Sequence, residues 1–155
     1  MLKDVKSYDM REVLGHNEKI YIKSFSGATV EDMEYYIQPS LKYKNDLIIL
    51  HTGTNSLRSS KRAEDIANEI VNLAEYMKTG ENEVMISAII PRRDRLSNKG
   101  MEVNKCLFNL CNENGIHFIS HSNISSARHL NGGSLHLNQD GVQVVGRNLI
   151  NSIQL

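Results

Sequence analysis

The sequence predicts an α/β domain in three layers, a parallel sheet with helices on both faces, and three observations predict it. Short apolar runs of strand length alternate with longer stretches whose apolar residues recur every three or four positions. Two of the short runs, residues 46–51 (DLIILH) and 84–90 (VMISAII), are apolar almost throughout, the pattern of strands that helices cover on both sides. No linker, repeat or low-complexity segment interrupts the alternation, so one domain over residues 1–155 is expected. That order implies right-handed crossovers, with functional residues in the loops at the C-terminal strand ends.

Each element has its own reason. Residues 2–14 are weakly helical and stop at Gly15, a suitable C-cap, after which residues 19–24 (KIYIKS) alternate like a strand and lead into the turn SFSG. Thr29 and Asp32 approximate a capping box, and Val30, Met33, Tyr36, Ile37 and Leu41 share one helical face. The strand at 46–51 opens into the loop GTNSL. Ala63, Ile66, Ala67, Ile70, Val71, Ala74 and Met77 then repeat at three and four, and Gly80 closes that helix. The strand at 84–90 is ended by Pro91 and followed by a basic loop. Val103, Cys106, Leu107, Leu110 and Cys111 mark the next helix, stopped near Gly115, and residues 117–120 read as a fourth strand. A polar loop over 121–134 leads to LHLN, and Val142, Val145, Leu149 and Ile150 form the stripe of a last helix.

Composition bounds the function. Lys plus Arg and Asp plus Glu both total 18, so no global field draws the chain to nucleic acid or anionic lipid. The apolar runs are far shorter than the roughly 20 residues of a membrane helix, and the charged N-terminus does not read as a signal peptide. A cytoplasmic location with no membrane partner is the expectation. The two cysteines, Cys106 and Cys111, are five apart in one helix and face different ways, so reduced thiols are expected. His117, His121 and His129 lack metal-ligand spacing, and no GxGxxG or Walker-type loop offers a phosphate site, so neither metal nor cofactor is expected. Arg92, Arg93 and Arg95 read as a solvated loop, the best nucleic-acid candidate in a chain not expected to bind nucleic acid.

Three short motifs fall in the loops where chemistry is expected: SFSGAT (24–29), GTNSL (53–57) and LHLN (135–138). A glycine amide, an asparagine amide and a histidine can converge on one reacting carbonyl, as acyl transfer needs. In this order and beside these elements, SFSGAT, LHTGTN and LHLN resemble three of the four sequence blocks of the SGNH, or GDSL-type, hydrolases, over nearly the whole chain. The wording is similar to SGNH-like domains of some retroelement-encoded proteins. The resemblance implies a flavodoxin-like parallel sheet in an α/β/α sandwich. It further implies that Gly27 donates its backbone N–H to the oxyanion, that Asn55 donates its side-chain amide, and that His136 is the general base.

Two departures accompany the resemblance. No GDS-type motif follows a leading strand, and MLKDVKS resembles what comes directly after the nucleophile, so the domain is expected to lack its first strand and its serine block. The acidic partner expected three residues before the histidine falls on Gly133. Ser24, Ser26 and Ser56 do not sit on a strand-to-helix elbow and are not expected to replace the serine. Each candidate also has a structural reading: Gly27 as a tight turn, Asn55 as a loop residue bonding its own backbone, His136 as one solvated histidine of six. The expectation is an ester hydrolase domain for small acyl or acetyl esters, its serine outside this sequence. The alternative is a catalytically inactive relative kept as a binding or scaffold module. Oligomeric state is open.

Overall fold

The computed structural model describes residues 5, 10–11, 14–15, 19–78, 82–133 and 135–154. Along them run α1 (Val30–Tyr36), α2 (Gln38–Leu41), β1 (Leu47–Leu50), a 3-10 turn (Ser56–Arg58), α3 (Ala63–Met77), β2 (Glu83–Ser87), α4 (Ser97–Asn114), β3 (His117–Ile119), α5 (Ser126–His129) and α6 (Gln139–Ile153). The three strands form one parallel sheet in the order β1-β2-β3, with Ile48 opposite Val84 and Ile86 opposite Phe118.

Strand side chains alternate between two cores, which produces the three layers. Ile48, Leu50, Val84 and Ile86 pack into one core with Ile66, Ile70 and Ala74 of α3 and Val103, Leu107 and Cys111 of α4. Ile49, Met85 and Ile119 face the opposite core with Val145, Leu149 and Ile150 of α6. Ile66, Ile86, Val103, Leu107 and Val145 are fully buried, each side chain stabilising the fold by roughly 1.5–3 kcal/mol of removed apolar surface. Among the described residues no helix is long and apolar enough to cross a membrane.

Several boundaries differ from the sequence expectation. Residues 19–24 pair with no strand among the described residues: Ile20 and Ile22 are half-buried against the second core while Tyr21 and Lys23 are exposed. The alternation was a true burial signal, but it says nothing about whether a neighbour offers ladder partners. The strand expected over 84–90 ends at Ser87, because Asn104 of α4 takes over the backbone of Ile89, accepting its N–H and donating to its C=O, both at 2.8 Å. The single helix expected from Val30 to Leu41 is two, split at Ile37, with Pro39 in the first turn of the second, where a missing N–H costs nothing. The capping box at Thr29 and Asp32 is present, and Gly115 ends α4 at φ 64°. The fourth expected strand is His117–Ile119, and α5 lies within the loop expected to be irregular. Most of the helix expected over 2–14, and the Gly80 stop, lie outside the described residues.

Candidate functional site

Two of the three motif loops are stitched to each other. In the first, the Ala28 N–H donates to Phe25 O at 3.3 Å and Gly27 adopts φ 79°, a left-handed conformation that favours glycine. A Cβ at Gly27 would meet nothing within 4 Å, so the demand there is conformational and leaves the backbone open to a ligand. The second loop leaves β1 through Gly53, at φ 106°, where a Cβ would stand 2.8 Å from Ile70 Cδ1, so this glycine is needed for close packing on α3. Asn55 Nδ2 donates to Ala28 O at 2.9 Å, and Ser56 Oγ accepts the Val30 N–H at 3.0 Å. These two bonds hold Gly27 and Asn55 across a cleft of about 500 Å³, also lined by Thr29, Glu31, Ser56, Arg58, Ser59 and Lys61.

The third loop carries His136. Its backbone is fixed by an antiparallel bridge between Leu130 and Leu137, with the Asn131 N–H donating to His136 O at 2.8 Å. Asn138 starts α6, its Oδ1 accepting the Gly141 N–H at 2.9 Å and its Nδ2 donating to Arg128 O at 2.7 Å. The His136 ring is exposed, has no hydrogen-bond partner among the described residues, and is not part of the cleft lining. Gly133, three residues before it, donates its N–H to Asn131 Oδ1 at 3.1 Å. Gly27 and Asn55 therefore share a cleft, and His136 lies on a separate loop.

The basic loop after β2 joins these regions. Arg92 is 4% exposed, contrary to the solvated loop expected of all three arginines, and its Nη1 donates to Thr54 Oγ1 at 3.1 Å. Its Nε donates to Asp94 Oδ1 at 2.9 Å, and that partnership pulls the Asp94 carboxyl down to about 2. Arg93 Nη2 donates to Asn131 O at 2.8 Å. One arginine thus grips the Asn55 loop and the next grips the His136 loop, so Arg92 is spent on structure.

A partly buried polar chain at the strand ends was not anticipated from the sequence. Ser87, the last residue of β2, lies 3.0 Å from His51 Nδ1 and 2.8 Å from His121 Nε2, just beyond β1 and β3. Asn148 of α6 donates Nδ2 to His121 Nδ1 at 2.9 Å and exchanges two hydrogen bonds with Asn123. As placed, protons run in one direction, from Asn148 to His121, from His121 Nε2–H to Ser87 and from Ser87 O–H to His51. Burial pushes the His121 imidazolium down to about 4, and burial with repulsion from His121 pushes His51 down to about 3. Both rings are therefore neutral, and Ser87 is 1% exposed, out of substrate's reach. The available signal was that all three polar side chains end otherwise apolar strands on the same face.

The cysteines make no disulfide, and burial raises the Cys111 thiol to about 11. No family model matches the chain, and no curated protein matches it by sequence. Solved structures do match in fold. A lipolytic G-D-S-L family member from Veillonella parvula is 18% identical, with 96% of this chain and 90% of that chain covered at a TM-score of 0.78. A carbohydrate acetylesterase from Sinorhizobium meliloti is 16% identical, covering 94% and 82% at 0.78. An acetyl-xylooligosaccharide esterase variant from a Geobacillus is 14% identical, covering 96% and 78% at 0.76. Parallel sheet, two helical layers and these likenesses lead to one conclusion: the chain has the fold of the SGNH, or GDSL-type, lipolytic hydrolases.

Proposed function

We propose that the cleft between Gly27 and Asn55 receives the carbonyl oxygen of a small acyl or acetyl ester and acts as the oxyanion-binding part of an ester hydrolase. The observation that carries this is the 2.9 Å bond from Asn55 Nδ2 to Ala28 O, which sets an asparagine amide beside the turn of Gly27. The Asn55 amide has two hydrogens, so one remains for a ligand. No described acceptor takes the Gly27 N–H. Two donors held in place before charge develops can stabilise a tetrahedral oxyanion without reorganising. In this reading His136 accepts the proton of the attacking group. Neither Ser56, whose Oγ accepts the Val30 N–H, nor Ser87, which is buried, is the nucleophile in this reading.

A second reading, a non-catalytic binding module with the same cleft, draws on Gly133 at the position of the acid and on the unheld His136 ring. Hydrolysis of p-nitrophenyl acetate by the purified chain, beside Asn55→Ala and His136→Ala, separates the two. Turnover lost in both variants supports the hydrolase. Turnover indifferent to both rejects it, and a folded chain that binds esters at Asn55 without hydrolysing them supports the binding module.

A further inference from the structure

We infer that the cleft selects esters that carry a carboxylate, with Arg58 as the residue that binds it; this rests on the ester-site reading above. Arg58 ends the 3-10 turn that starts directly after Asn55, and its N–H donates to Asn55 O at 3.2 Å. In a 3-10 turn, side chains three apart eclipse, which puts Asn55 and Arg58 on one side of the turn. Both line the cleft, and Arg58 is exposed.

The other charged residues of the cleft lining are already paired with each other. Lys61 is held by Glu31 and, at 2.5 Å, by Glu69, and the bonds to Glu31 and Glu69 raise its pKa. Glu31 is the one acidic residue of the lining, and its carboxylate is bound to that lysine. Lys99 Nζ donates to Ser59 O at 2.7 Å, adding a further positive charge at the rim. Arg92 turns inward to Asp94 and Thr54. Arg58 has no carboxylate within ion-pair reach among the described residues. A planar guanidinium with five N–H donors matches a carboxylate in two parallel hydrogen bonds, a geometry that neutral acyl chains cannot use. An ester whose carbonyl oxygen rests on Gly27 and Asn55 can therefore be discriminated by the charge at its far end.

Monomethyl succinate and methyl butyrate have the same length and differ in that charge. Amide NMR of the full chain follows the Gly27 N–H and the Asn55 side chain as each is added. Monomethyl succinate is expected to move both signals and to bind about tenfold tighter than methyl butyrate, and the preference should shrink with added salt. Arg58→Gln should abolish the preference, while Arg95→Gln, at an exposed arginine of the other loop, should leave it intact. Equal binding of the two esters, or a preference that survives Arg58→Gln, overturns the carboxylate assignment and leaves the ester site standing. Free succinate that moves the Arg58 side chain while neither ester moves Gly27 or Asn55 supports the anion site and rejects the ester reading. No movement by any of the three overturns both.

Discussion

Asn55 and Gly27 show how differently two residues of one motif set can be read. Asparagine after a buried strand is legible as a candidate because ligands commonly bind at that loop position in this kind of sheet, but its bond to Ala28 joins residues 27 apart and has no local sequence signal. Asn55→Ala is expected to lower kcat/KM for p-nitrophenyl acetate by about 100- to 1000-fold if the cleft holds the oxyanion, while loss of one hydrogen bond costs about 1 kcal/mol of stability. A rate within twofold of the parent chain would remove Asn55 from the reaction. Gly27→Ala meets no clash and carries only the strain of φ 79°, about 1–2 kcal/mol. Gly53→Ala adds overlap with Ile70 and Ile89 to that strain, so its melting temperature should fall further than that of Gly27→Ala. Thermal melts of the two variants side by side test this ordering.

At the scale of elements, helices were more legible than strands, because a helix satisfies its own backbone whereas a strand needs a neighbour. α3 and α6 follow their apolar stripes closely, and both present buried residues at the expected spacing. Residues 19–24 had strand periodicity without a partner strand among the described residues, and residues 88–90 had strand composition but surrendered Ile89 to Asn104. The start of α6 depends on Asn138, whose side chain caps the helix and also holds the preceding segment through Arg128 O. Asn138→Ala should cost about 1–2 kcal/mol, seen as a lower urea midpoint, with Asn138→Asp recovering the capping part. Equal midpoints for the parent chain and Asn138→Ala would mean that the cap contributes nothing.

Across the whole molecule, the His51, Ser87, His121 and Asn148 chain ties all three strand ends to α6, so its protonation acts on the entire fold. Both histidines titrate below their ordinary 6.5 in the folded chain, to about 3 and about 4, so the unfolded chain binds protons more readily. Stability is then complete above pH 6.5 and is lost as pH falls toward 4, at about 1.4 kcal/mol per pH unit for each histidine that stays neutral. Urea midpoints at pH 7, 6 and 5 should fall in that order, and His121→Gln should flatten the trend. Midpoints that do not move over this range would contradict the neutral pair.

The alternation of apolar runs with amphipathic stretches is a local property, and it was sufficient to specify the layered α/β class, the order of helices and the loops that hold Gly27, Asn55 and His136. Convergence is not local. That Gly27 and Asn55 share a cleft with Arg58, that Arg92 is buried and that Ser87 sits between two histidines all depend on contacts between distant segments. Periodicity reports which face of an element leaves water. Which side chains meet there is set by packing and by the demand of buried polar groups for partners, and both are satisfied only once the layers have closed.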